Sequence, residues 1–189
     1  AGVSITDTTD FDLKALTLSG NLVVASGGSI TQSGNLTIQG TSSFTTTTAN
    51  ETITLYDPSL TNAFTGAFTL SSTGSNAHVT IDNGTTAIVI TSASVGGNLT
   101  LTSGAAAGII DTMASDGDKV SVGGNLSVTT DDNNGVINMG DLAVDGTIAL
   151  TTHGTGDATV VNANGINFAA STIGDDLIAT ASDGDVIQQ

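Results

Sequence analysis

The chain is 189 residues long and carries 18 Asp and Glu against two basic residues, Lys14 and Lys119, for a formal net charge of −16; it has 24 Gly, one Pro and neither Cys nor Trp. This acidity removes the basic footprint that binding to nucleic acid or an anionic membrane requires, and the lack of cysteine excludes a disulfide framework and any thiolate metal site. A hydrophobic content of 38% and a mean hydropathy of +0.23 lie outside the polar, highly charged regime of disordered chains, so the chain is expected to fold.

Alternating apolar and polar residues begin at Val3, and turns rich in Gly, Asn, Asp and Ser divide the rest of the chain at intervals of about ten residues. Strands are expected around Leu16, Leu22, Ile30, Leu36, Phe44 and Ile53, then around Phe68, Val79, Ile88, Leu99, Ile109, Val120 and Val128. The last group falls around Val136, Leu142, Ile148, Val160, Ile166, Leu177 and Val186. No segment shows a helical stripe, and the longest low-polarity stretch, Gly104 to Ile110, is too short to cross a bilayer.

One phrase opens many of these strands: Gly20-Asn21-Leu22, Gly34-Asn35-Leu36, Gly97-Asn98-Leu99 and Gly124-Asn125-Leu126, with degenerate copies at Gly140-Asp141-Leu142 and Gly174-Asp175-Asp176-Leu177. It reads as a corner followed by a strand. Gly would supply unusual backbone angles, and Asn would adopt a left-handed conformation or bond the adjacent backbone.

A longer period lies above the phrase. Val3 to Gln32 resembles Val79 to Thr112 and Val160 to Gln188, and the corner leucines Leu22, Leu99 and Leu177 are 77 and 78 residues apart. Stacked coils have such a super-repeat, whereas a β-sandwich has no period beyond its strand spacing. The expected fold is therefore all-β, a parallel β-helix or β-solenoid filling residues 1–189 as one segment. It would be a window of a longer repeat array with super-repeats of about 78 residues. With about four coils to a super-repeat and roughly 4.8 Å per coil, the rod would be near 45 Å long. Inward Leu, Ile, Val and Phe would stack between coils, and Thr, β-branched and able to form hydroxyl ladders, would face outward.

The runs Ile30-Thr31-Gln32-Ser33-Gly34-Asn35-Leu36-Thr37-Ile38, Phe64-Thr65-Gly66-Ala67-Phe68-Thr69-Leu70 and Ser94-Val95-Gly96-Gly97-Asn98-Leu99-Thr100-Leu101-Thr102-Ser103 resemble the repeat region of filamentous-haemagglutinin-like adhesins. These are very large bacterial surface proteins, often exported by two-partner secretion. The resemblance implies a right-handed parallel β-helix in an exported fibrous stalk, located outside the cell or on its surface. The secretion and effector regions of that family are not recognisable in this chain, so their activities are not carried over.

Catalytic chemistry has little to work with. His78 and His153 stand alone and read as surface histidines. The paired carboxylates Asp10/Asp12, Asp131/Asp132 and Asp175/Asp176 have the two-acid character that glycoside cleavage needs, but without Trp and with one Tyr there is little apolar platform for a sugar. Acidic turns at Asp116-Gly117-Asp118, Asp131-Asp132-Asn133-Asn134-Gly135 and Asp183-Gly184-Asp185 supply hard oxygen ligands. Asp116, Asp118, Asp131, Asp132, Asp183 and Asp185 are therefore the calcium candidates, although no EF-hand or nonapeptide pattern accompanies them. No other cofactor is expected.

The reading is a structural, non-enzymatic rod segment of an extracellular adhesin or filament. Its alternatives are a fibre subunit that self-associates end to end and a carbohydrate-active β-helix using paired Asp. Nucleic acid and membrane insertion are excluded as partners, and a surface receptor or glycan is left unidentified.

Overall fold

The computed structural model describes residues 1–112, 120–131 and 134–188. Among them are 22 short strands and no helix, and every strand pairing is parallel, in sheets of ten, nine and three strands. The chain is a β-solenoid of about 8 turns of ~21 residues, which at roughly 4.8 Å per turn makes a rod near 40 Å long. The strands fall where the alternation places them. The alternation that begins at Val3 forms the strand Val3–Asp7, and two strands are additional to the expected positions: Phe11–Leu13 and Ala63–Phe64.

Strict alternation buries one residue in two, and the parallel register stacks those residues into columns. In the ten-stranded sheet one column runs Val24, Phe44, Leu70, Ala93, Val120, Leu142. In the nine-stranded sheet another runs Val79, Leu99, Leu126, Ile148, Phe168. Nearly all of these side chains are fully excluded from water, so hydrophobic burial acts along the whole rod. Outward positions form matching rows of threonines, as in Thr54, Thr80 and Thr100, and in Thr102, Thr129 and Thr151.

Where a strand ends, the inward position often turns polar. Ser26, Thr46, Ser72, Asn83, Ser103, Thr130, Thr152 and Asn162 continue the inward alternation of the residues before them and are buried. Their side chains bond the backbone of the bend: Ser72 Oγ donates to the Ala77 carbonyl, Thr130 Oγ1 to that of Gly135 and Thr152 Oγ1 to that of Gly156, at 3.0, 2.9 and 2.6 Å. A buried carbonyl that leaves the sheet at a corner needs such a partner. Asn83 goes further. It accepts from the Phe64 N–H and donates to the Phe64 carbonyl, at 2.8 and 2.9 Å, so its amide takes the place of a paired strand residue where the three-stranded sheet ends.

The corner glycines have a different cause from the one expected. Gly20, Gly34, Gly97 and Gly124 do not have positive φ. Their lack of a side chain matters because the turn below lies against them: a Cβ on Gly34 would sit 2.2 Å from the Ala15 nitrogen, and one on Gly20 2.5 Å from the Ala1 carbonyl carbon and oxygen.

The long period is not four coils either. Leu22 lies in the ten-stranded sheet and Leu99 in the nine-stranded one. One face beyond Leu22 is Ile30, and Ile30, Ile53, Val79 and Leu99 are paired successively. One face beyond Leu99 is Ile109, paired successively through Ile137 and Ala158 to Leu177. Each super-repeat is therefore three turns plus one face, so the same phrase recurs on a new side of the rod.

Candidate functional site

The corner asparagines form ladders between turns. Asn21 Oδ1 accepts from the Thr41 N–H, Asn35 Oδ1 from that of Thr61, Asn98 Oδ1 from that of Asn125, and Asn125 Oδ1 from that of Thr147, all at 2.9–3.0 Å. The expected bond to the adjacent backbone is replaced by one to the next turn. Leu22, Leu36, Leu99 and Leu126, the residues that follow, are fully buried, so each Gly-Asn-Leu phrase places a close-packing residue, a rung and a core residue in order.

Side chains with catalytic potential are used in the same way. His78 Nδ1 accepts from the Asn98 N–H at 2.9 Å, and the His153 Nδ1 lies 2.6 Å from the Thr130 carbonyl, to which it donates. Asp10 Oδ1 accepts from the Ser29 N–H at 2.8 Å, and Asp157 Oδ1 from the Asp176 N–H at 3.0 Å. Asp12 binds the Lys14 ammonium and the Ser33 hydroxyl. The Lys14 hydrogen bond, followed by that of Ser33, holds the Asp12 carboxyl below its ordinary value. Of the expected pairs, Asp10 and Asp12 both bond the next turn through their carboxylates, whereas the Asp176 contact between turns is made by its backbone N–H.

Of the calcium candidates, Asp116, Asp118 and Asp132 lie outside the described residues. The Asp131 N–H donates to the Ser103 carbonyl at 2.9 Å, and Asp183 and Asp185 lie exposed on the last turn. Among the described residues, no three His, Cys, Asp or Glu side chains converge on a point where they could hold a metal ion. Asp111 and Asp141 are the carboxylates whose environment stands out. Asp111 is half-buried, and Asp111 Oδ2 accepts from the Asp141 N–H at 3.1 Å. Burial pushes its carboxyl up, an effect the Asp141 and Gly140 N–H groups partly offset.

Among the described residues, four of the six exposed large apolar side chains lie at one end, the others being Val23 and Tyr56. The last turn exposes Leu177, Ile178, Val186 and Ile187 by 43–60%, on strands with a neighbour on one side only. At the other end Val3, Ile5, Phe11, Leu16 and Leu18 are half-buried. Among the described residues, no helix is long and apolar enough to cross a membrane.

Residues 1–71, the first three turns and the start of the fourth, match a family described as repeats of unknown function (DUF5649). No curated protein and no solved structure matches the chain. The match agrees with the repeat architecture and assigns no activity.

Sequence reasoning missed the buried amides. Asn83 follows Val79 and Ile81 in phase, and Asn162 follows Ala158 and Val160. Carrying the alternation one step past each strand would have placed both side chains inside. Gln32 and Asn62, which exchange hydrogen bonds of 3.2 and 2.8 Å in the interior, are visible the same way for Gln32 only, since Asn62 follows no strand.

Proposed function

We propose that this chain is a structural, non-enzymatic rod segment of an extracellular or cell-surface adhesin or filament. One observation carries the reading: apolar columns run the length of the solenoid, and the side chains of His78, His153, Asp10 and Asp12 are spent on bonds between turns. Such a molecule resists bending and keeps distant parts of a surface protein apart. Its acidic, threonine-rich exterior suits a soluble exposed fibre.

The test is localisation and shape together. Antibody raised against the chain should label intact source cells, protease shaving of those cells should remove the label, and electron microscopy of the purified chain should show rods near 40 Å long. Label found only after cell lysis, or compact particles with no long axis, would reject the reading.

The exposed Leu177, Ile178, Val186 and Ile187 favour a second reading, a fibre subunit that stacks end to end through unpaired strand edges. Sedimentation should then show assembly that rises with concentration and is abolished by Ile187→Asp. A chain that stays monomeric at high concentration would eliminate this reading and leave the first intact.

A further inference from the structure

Three Asn-Gly dipeptides occur in the chain: Asn83-Gly84, Asn134-Gly135 and Asn164-Gly165. A glycine after asparagine leaves the next backbone nitrogen unshielded by a side chain and free to swing toward the carboxamide carbon. The fold treats the three differently. Asn83 is fully buried, with its amide bonded to both polar groups of Phe64 and to the Ala87 carbonyl, and the Gly84 N–H donates to Asp82 Oδ1 at 2.8 Å. Asn134 Oδ1 accepts from the Thr155 N–H at 3.0 Å, and Gly135 is buried.

Asn164 and Gly165 are both exposed, at a corner where contacts between turns thin out. Asn98 and Asn125 each pass a hydrogen bond to the next corner at 2.9 Å, but Thr147 has no amide to offer, and there the ladder stops. Between the strands Ile148–Thr151 and Ile166–Phe168 a single position is paired, Ile148 with Phe168. Glycine N–H groups at other corners donate to the previous turn, as those of Gly97, Gly124 and Gly146 do to the carbonyls of Ala77, Gly97 and Gly124. Among the described residues the Gly165 N–H has no hydrogen-bond acceptor. Among them, too, the Asn164 carboxamide makes one bond, from Nδ2 to Asp145 Oδ1 at 3.1 Å, between exposed side chains where water competes.

We propose that Asn164 is a site of spontaneous deamidation, selected by the fold from three equivalent dipeptides. The Gly165 nitrogen attacks Asn164 Cγ and loses its proton, closing a five-membered succinimide. The Cγ–Nδ2 bond breaks, and the amide nitrogen leaves as ammonia. Water then adds to either ring carbonyl carbon. Breaking the bond from Cγ to the Gly165 nitrogen leaves aspartate on the ordinary backbone. Breaking the bond from the α-carbonyl carbon to that nitrogen leaves isoaspartate, whose backbone runs through Cβ and Cγ. The net change is hydrolysis of one amide to a carboxylate and ammonium, with water as the sole co-reactant.

Both products disturb the corner. The new carboxylate removes the donor to Asp145 and sets a second negative charge against it. Isoaspartate also adds a backbone carbon between Asn162 and Ile166, two buried residues on either side of the passage from the ten-stranded to the nine-stranded sheet. Asn162 Nδ2 donates to the Gly165 carbonyl at 2.9 Å within that corner, so the added carbon displaces Ile166 and strains its pairing with Val186. The last turn is then the part of the rod that loosens with age. This goes beyond the rod reading and stands independently of where the rod is displayed.

The experiment incubates the full chain in mildly alkaline buffer, folded and in urea, and follows each dipeptide by peptide mapping. Conversion adds about one mass unit as OH replaces NH2, and an isoaspartyl methyltransferase with a labelled methyl donor marks the isoaspartate. In the folded chain Asn164 should convert at least about tenfold faster than Asn83, which reacts only when its turn opens, and severalfold faster than Asn134. In urea the three rates should fall within about threefold of one another, because the fold no longer separates them. Asn164→Gln should abolish conversion at that site and leave the other two rates unchanged. Hydrogen exchange in Val186–Gln188 should be faster in the converted chain than in the Asn164→Gln chain treated alike. Folded-state conversion at Asn83 or Asn134 that equals or exceeds that at Asn164, or an equal preference for Asn164 surviving in urea, would overturn the proposal. Unchanged exchange in the converted chain would overturn the loosening of the last turn.

Discussion

The turns of residues 1–71 and those of residues 137–188 are built from the same corner-and-strand grammar and end differently. In the first, Phe44, Phe64 and Phe68 are fully buried with ring centroids 5.0–6.5 Å apart, and the asparagine rungs at Asn21 and Asn35 are complete. In the second, Phe168 stands without a ring partner at 7% exposure, and Asn162 occupies a core column. The rung after Thr147 is missing, and the last strands expose Leu177 and Ile187. The difference teaches that stacking itself is insensitive to sequence. Turns stack alike whether the inward position at the strand end is a hydroxyl, as at Ser26 and Thr46, or an amide, as at Asn83 and Asn162.

The largest test of that contrast is aromatic. Phe64→Ala empties the centre of a three-ring cluster and should cost about 3–5 kcal/mol, whereas Phe168→Ala, nearer an end and partly wet, should cost roughly half as much. Hydrogen exchange resolved by segment is the right measurement, because solenoid turns can open locally. Equal costs at both sites would mean that the two regions are packed alike.

The buried amides come next. Asn83→Ala strips both polar groups of Phe64 in a sealed interior and should cost about 2–4 kcal/mol. Asn162→Ala strips Val144 next to the exposed corner at Asp145, which can relax toward water, and should cost about 1–2 kcal/mol. Denaturant midpoints of the two variants compare them directly, and a greater cost at Asn162 would contradict the sealed-versus-open distinction.

Corner packing and rungs follow. Gly34→Ala forces a Cβ against the backbone of the previous turn and should cost about 1–3 kcal/mol. If φ were the reason for this glycine, Asn would be tolerated there, so Gly34→Asn must be at least as damaging as Gly34→Ala. Asn98→Ala removes one rung and should cost about 1 kcal/mol, while Thr147→Ala, at the broken rung, should fall within about 0.5 kcal/mol of neutral. A neutral Asn98→Ala would mean that the ladder is decorative.

The strand positions and their parallel stacking were legible because period-2 alternation and Gly-rich corners are local signals, and inward burial follows from them at Leu99, Leu101 or Val128. The cause of the corner glycines was not, since what meets Gly34 is Ala15, a contact made only after a full turn has closed. The super-repeat misled for a related reason: 77 residues repeat a local phrase faithfully, but the turns between vary enough to shift Leu99 one face from Leu22.

The smallest expected effect concerns Asp111, and its sign distinguishes it from the surface aspartates. Thr9 holds the Asp7 carboxyl below its ordinary value through its backbone N–H and then its hydroxyl, and Ser59 does the same to Asp57 through its hydroxyl and then its N–H. Together with Asp12, these groups bind fewer protons folded than unfolded. Their stabilisation is present above the ordinary carboxylate range and is lost as pH falls through their lowered folded values. Asp111 is opposite: burial raises its folded value, so the folded chain holds its proton longer, and stability is lost as pH rises from the ordinary value of 3.8 through the raised one. Asp111→Asn keeps an oxygen for the Asp141 N–H and removes that loss. The variant should match the wild type in acid and exceed it at neutral pH, by under about 1 kcal/mol given the partial exposure. Urea midpoints across the acid range measure the crossover, and a variant uniformly less stable at every pH would show that the Asp111 charge supports the fold.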